Sequence, residues 1–190
     1  MEKKTVYVET SIASYLTARP TNELLAAAWQ KATIDWLDAQ SGRFCLFPVD
    51  RRHQVPSSPS VYSRFRGRPG GLRGYTSSIV MEEAARGHQE AASRRLEALF
   101  GIPLLAITEA VVVLSKALIQ EGALPSKALD DSLHIAVAAV HGIDYLLTWN
   151  CSHIANAEIK SVIRKVCASH SYISPEICTP HELMGVDDND

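Results

Sequence analysis

Strand-length apolar segments alternate with helix-length ones along nearly the whole chain, and this order restricts the fold more than any other feature of the sequence. "VYVETS" (6–11) begins as a strand and passes into a short helix, "SIASYLTA". Asn22 can cap "ELLAAAWQKATIDWLDAQ", whose apolar residues recur at helical spacing until Gly42. "FCLF" (44–47) reads as a second strand. Ser77 or Ser78 is placed to cap "SSIVMEEAARG", which Gly87 stops, and "QEAASRRLEALFG" continues the helical pattern. "IPLLAI" is a third strand. Thr108 caps "EAVVVLSKALIQEG", and Pro125 suits the first turn of "PSKALDDSLHIAVAAVHG". "DYLLTWN" is a fourth strand, followed by helix in "IKSVIRKVCAS", a short last strand in "EICT" and a terminal turn opened by Pro180. Such an order predicts an α/β fold in which helices cover both faces of a parallel sheet.

One segment breaks the pattern. Positions 48–76 hold four Pro, four Ser and four Gly without periodicity, and read as loop or disorder. The same stretch carries Arg51, Arg52, Arg64, Arg66, Arg68 and Arg73 against the single acid Asp50, a local charge of +5 in a chain whose net charge is −2. The expected organisation is therefore one domain over 1–185, interrupted by a basic insertion at 48–76, with a frayed tail at 186–190. No apolar run reaches the roughly 18 residues that a membrane span needs. The opening "MEKKTVYVETS" meets Glu9 too soon for a secretory signal, so a cytoplasmic location is expected. Cys45, Cys151, Cys167 and Cys178 form no C-x-x-C pair, and reduced thiols are expected.

In a parallel sheet the ligand site lies outside the carboxyl ends of the strands. Glu9 and Asn150 both fall at such ends, so they can be neighbours in space. Glu82 and Glu83 lie early in one helix, and Asp130 and Asp131 early in another. Acids there complement the helix dipole by about 0.3–1 kcal/mol, which accounts for any one of them alone. Asp131 differs, because "LDDSLHIAVAAV" is almost wholly apolar after its acids. An acid on a buried helix needs a partner or a cation. His134 shares the Asp131 face and reads as a satisfied core histidine.

Taken together, "VYVETS", "SSIVMEEAARG", "DDSLHIAVAAVHGIDYLLTWN" and the trailing "SHI" resemble the PIN domain, the metal-dependent ribonuclease family that includes the VapC-type toxins of toxin–antitoxin pairs. The D-x-x-H-I-A-x-A helix followed by an apolar strand and T-x-N is the most specific part. The resemblance covers nearly the whole chain outside 48–76. It implies a three-layer α/β/α fold with a central parallel sheet of four to five strands. It also implies Mg²⁺ or Mn²⁺ as cofactor and RNA as substrate, with a small antitoxin as partner and pairing of the chain with itself. By position, Glu9, Glu83 and Asp131 match the family's metal-binding acids, with Glu82 the alternative to Glu83 and Asp130 beside Asp131. Asn150 falls where many members carry a fourth Asp, so the expected catalytic set is Glu9, Glu83, Asp131 and Asn150. Thr148 matches the hydroxyl residue before it.

The chemistry fits those residue types. Phosphodiester hydrolysis needs charge neutralised on phosphoryl oxygens and a hydroxide at neutral pH, and a hard dication bound by carboxylates supplies both. Asn150 brings an amide oxygen but no charge. A unit charge lost 4 Å from a cation forfeits roughly 4 kcal/mol at an effective dielectric near 20, and about 1 in water, so one firmly held metal is expected. Arg64, Phe65 and Arg66 in the insertion could grip a backbone and stack bases. Two rival readings stand beside this one. Cys151 with His153, and Cys167 with His170, could hold zinc, although their spacing fits no common pattern. A degenerate PIN module could bind RNA or a protein without cutting. No G-x-x-x-x-G-K-[ST] or G-x-G-x-x-G phosphate loop is present.

Overall fold

The computed structural model describes residues 4–40 and 73–184. The strand expected at 44–47, the insertion from 48 to 72 with Arg64, Phe65 and Arg66, and the tail at 186–190 lie outside the described residues. No helix among the described residues is long and apolar enough to cross a membrane.

Five parallel strands form one sheet in the order β3-β2-β1-β4-β5: β1 (Thr5–Val8), β2 (Arg73–Ser77), β3 (Leu104–Leu105), β4 (Tyr145–Leu147) and β5 (Glu176–Cys178). Among the described residues, seven helices accompany them: α1 (Thr10–Thr17), α2 (Leu24–Gln40), α3 (Ser78–Ala84), α4 (Gln89–Leu99), α5 (Glu109–Gln120), α6 (Leu129–Val140) and α7 (Ala157–Ser169). Helix α1 packs on α2, α3 and α4, whereas α5 packs on α6 and α7. Two helical groups and one sheet make the expected α/β sandwich. The central strands explain why both faces must be covered. Val6, Tyr7 and Val8 of β1 and Leu146 and Leu147 of β4 are all buried, so consecutive residues on opposite faces meet apolar neighbours.

The chain runs outward from β1 to β2 and β3, then returns to lay β4 on the other side of β1. The winding direction therefore reverses between β1 and β4, and in sheets of this kind the crevice for a ligand is expected beyond the carboxyl ends of those two strands.

Several boundaries differ from the sequence reading. Residues 73–76, assigned to the irregular insertion, belong to β2. In "RGYTS" the strand formers are Tyr75 and Thr76 alone, but β2 lies between β1 and β3, whose backbones pair with it on both edges. Helix α6 begins at Leu129 rather than near Pro125; the Ala128 N–H closes a turn on the Pro125 carbonyl instead. The third strand contracts from 102–107 to two residues. Asn22 yields its expected capping role to Glu23, whose carboxylate accepts the Leu25 and Ala26 N–H groups. Thr108 caps α5 as expected, accepting from the Val111 N–H.

At the end of the sheet opposite the crevice, Asp144 ties the start of β4 to the start of β1. It accepts from the Thr5 N–H and hydroxyl at 2.8 Å each and from Lys4 Nζ at 2.6 Å, while its own N–H donates to Thr5 Oγ1. Burial by itself would raise the Asp144 carboxyl; the bonds from Lys4 and Thr5 outweigh it and hold the group below the usual carboxylate range. A depressed carboxyl stabilises the fold above its unfolded pKa, about 3.9, and loses that contribution as pH falls through the lower folded value. Asp144→Asn should therefore cost about 1–2 kcal/mol in urea unfolding at pH 7. The gap between the two proteins should close on acidification below pH ~4. A gap that is constant across that range would contradict the assignment.

Candidate metal centre

Glu9 follows the last residue of β1 and is only 7% exposed. It is the N-cap of α1, with Oε1 accepting the Ser11 N–H at 3.1 Å. Its Oε2 accepts from the Ser11 hydroxyl and, at 2.8 Å, from the Thr148 hydroxyl just beyond β4. Thr148 Oγ1 in turn accepts the Asn150 N–H at 2.9 Å, and the Trp149 N–H donates to Ser11 Oγ at 2.8 Å. The segments leaving β1 and β4 are thus stitched to each other around one carboxylate. An aromatic group fixes the second of them: Trp149 stacks on Trp29 with centroids 5.2 Å apart, Tyr15 meets both edge-on, and the indole N–H donates to Thr33.

Helix α3 starts directly after β2 and brings Glu83 to the same crevice. Glu83 Oε2 accepts from the Thr10 hydroxyl and from His134 Nε2 at 3.1 Å. His134, on α6, is 1% exposed, and its Nδ1 lies 2.9 Å from the Tyr7 hydroxyl, itself 2.6 Å from Ser77 Oγ. Tyr7 stands two residues before Glu9, on the same face of the strand. Burial alone would raise the Glu83 carboxyl, but the His134 hydrogen bond and charge, with Thr10 and Arg86, hold it below the usual range. For His134 burial acts to lower the imidazolium pKa; the Glu83 bond and the fields of Glu9, Glu83 and Asp131 outweigh it and raise it. One ligand atom each from Glu9, Glu83 and His134 lies within 4.8 Å of the other two, close enough for a single ion.

Asp131, expected as the third ligand, is not in this tight set. It sits one turn before His134 and is turned toward the β4 loop. Its Oδ1 accepts from Asn150 Nδ2 at 2.8 Å and its Oδ2 lies 2.9 Å from His153 Nδ1. The amide orientation of Asn150 is fixed from its other side. The His153 N–H, which can only donate, points at Asn150 Oδ1 at 3.1 Å, and the Ser152 hydroxyl donates there too. Asn150 therefore presents its NH₂ to Asp131. Its amide oxygen, which the sequence offered as able to coordinate, accepts from the His153 N–H and the Ser152 hydroxyl.

Of the remaining expected residues, Thr148 donates to Glu9, a contact the sequence did not indicate. Glu82 is exposed, and it is Glu83 that enters the crevice. Asp130 pairs with Arg86 at 3.4 Å on the surface. The zinc alternative does not assemble among the described residues. Cys151 is exposed, Cys167 is buried with its thiol pushed up to about 11 by burial, and His170 Nδ1 faces the Val166 carbonyl. The sequence reading missed Tyr7 and Ser11, gave His153 only to the zinc alternative, and placed His134 in the core without its link to Glu83. The three-residue spacing from Asp131 was the available signal for His134.

Two carboxylates and an imidazole converge, with a third carboxylate nearby, where the winding reverses. That donor set suits a divalent cation, and the crowded negative charge favours one. Compared with family models, with curated proteins and with solved structures, the chain finds no match.

Asn150→Asp would replace a donor by a carboxylate facing Asp131. Like charges about 4 Å apart repel by roughly 1–4 kcal/mol between the water and surface dielectric limits. The metal-free variant should melt several degrees below wild type, and millimolar Mn²⁺ should recover most of the loss. Equal melting of the metal-free proteins would show that Asn150 does not face Asp131.

Proposed function

We propose that the chain is a divalent-metal-dependent endoribonuclease of the PIN type, hydrolysing RNA phosphodiester bonds. The observation that carries the proposal is the convergence of Glu9 and Glu83, far apart in sequence, beside Asp131 at the strand-order reversal. The PIN-like motifs supply the choice of RNA and of hydrolysis; the geometry supports a metal centre.

Glu9 and Glu83 would hold Mg²⁺ or Mn²⁺, which when bound supplies charge neutralisation at phosphoryl oxygens and lowers the pKa of a water. Ser11, Thr148 and Thr10 donate to the two carboxylates and so keep them aimed. Asn150 and His153 orient Asp131, which adds its negative charge from the side of the crevice. Asn150 acts in this reading as a positioning residue rather than a ligand. The pocket's net negative charge repels a phosphate backbone until a cation offsets it, so metal and substrate should bind cooperatively.

A non-cleaving PIN module that binds RNA or a protein is the second reading. The Asn150 amide facing Asp131 favours it, because a fourth carboxylate is replaced there by a neutral donor. We further propose, from the PIN resemblance alone, a small antitoxin that docks near the pocket and self-association of the chain, and, from the arginines and aromatic ring of the insertion, RNA contacts from Arg64, Phe65 and Arg66.

Incubation of structured and single-stranded RNA with the protein and Mn²⁺ tests the reading. Cleavage should be abolished by chelator and reduced at least about 10²-fold, or roughly 3 kcal/mol, in Glu83→Gln. Cleavage that Glu83→Gln leaves untouched would be a contaminant's. RNA binding without cleavage would favour the second reading. Deleting 48–72 should flatten the salt dependence of RNA binding if the insertion's arginines touch phosphates.

A further inference from the structure

We propose that His134 Nε2 is a direct metal ligand. The centre would then be a site of two carboxylates and one imidazole, selective for a first-row transition dication such as Mn²⁺ over Mg²⁺. This rests on the reading of the crevice as a metal centre and names its ligands.

Three observations carry it. First, His134 stands with Glu9 and Glu83 inside a 4.8 Å set that Asp131 does not join, and Nε2 is the ring nitrogen that faces Glu83. Second, the far nitrogen of the ring has a partner able to serve either tautomer. A ligating imidazole must lose its Nε2 proton and donate from Nδ1, and ligating histidines are fixed by such a second bond. Without metal, Nε2–H donates to the Glu83 carboxylate, so in the neutral ring Nδ1 accepts from the Tyr7 hydroxyl. With metal, the single ring proton sits on Nδ1 and is donated to Tyr7 Oη, and the Tyr7 hydroxyl turns to donate to Ser77 Oγ. A hydroxyl pair can reverse in this way; a backbone carbonyl or N–H could not.

Third, Ser77 occupies the N-cap position of α3 yet makes no capping hydrogen bond. Its hydroxyl is spent on Tyr7 at 2.6 Å. A serine at that position ordinarily caps the helix, so its diversion to a buried tyrosine is a cost to local stability that the relay explains.

The selectivity follows from ligand chemistry. Mg²⁺ takes oxygen ligands, keeps several waters and tolerates little departure from its octahedron. An imidazole nitrogen is a poorer ligand for the harder Mg²⁺ than for Mn²⁺, and suits the later first-row ions better still.

The test uses metal-free full-length protein. Calorimetric titration should give Mn²⁺ binding at least about tenfold tighter than Mg²⁺. Pulsed electron paramagnetic resonance of the Mn²⁺ complex should show coupling to a directly bound ¹⁴N, converted to the ¹⁵N pattern when histidine is isotopically labelled. The signal should survive in His153→Gln. Tyr7→Phe, folded by circular dichroism, should weaken Mn²⁺ about 10–100-fold. Mn²⁺ that binds without nitrogen coupling, or a coupling lost in His153→Gln, would overturn the assignment while leaving a carboxylate metal centre intact. Absence of binding by either ion would overturn the metal reading as well.

Discussion

A carboxylate buried at the end of a central strand has to be satisfied, and the way Glu9 is satisfied organises the rest of the crevice. An ionised acid removed from water costs several kcal/mol unless donors replace the lost hydration. Glu9 finds them in Ser11 at the start of α1 and Thr148 just past β4. The first contact makes Glu9 a helix cap. The second requires β1 and β4 to be neighbours in register, as Val8 and Leu147 are. One side chain thus joins the local turn, the sheet topology and the electrostatics of the site.

The remaining charges follow from that anchor. Glu83 and His134 reach the crevice from two helices in opposite layers, α3 and α6, and their hydrogen bond is one of the places where those layers meet. Tyr7, below Glu9 on the same strand face, supports the ring from underneath. Asp131 stands one helical turn away and is held by the β4 loop. Each acid has polar partners, yet the sum is negative charge gathered at one point. A cation bound there would offset that charge. At the other end of the sheet Asp144 performs a purely structural task with the same strands, which separates the two roles of a strand-end acid.

Much of this was legible in the sequence, for identifiable reasons. The alternation of apolar periods gave the parallel sheet, because strands buried on both faces must be written as "VYV" and "YLL". Thr108 announced α5 by chemistry local to its own backbone. Glu9 and Asp131 stood out because each is an acid beside an apolar run. What was hidden depended on partners distant in the chain. β2 is made from "RGYTS", whose pairing comes from β1 and β3 and not from its own side chains. The Asn150 amide is oriented by a backbone N–H three residues on, a fact of loop geometry with no sequence signature. His134 looked like a core histidine and is one by burial. Its link to Glu83, across 51 residues, arises only when α3 and α6 pack.

Glu9 and Glu83 are proposed to hold one dication beside the reversal of strand order. Anomalous diffraction from a crystal soaked in Mn²⁺ tests it most directly. Such a centre predicts a single strong peak about 2 Å from an oxygen of each carboxylate. A peak elsewhere, or none at saturating Mn²⁺ with the two side chains still hydrogen-bonded to Ser11, Thr148 and Thr10, would contradict it.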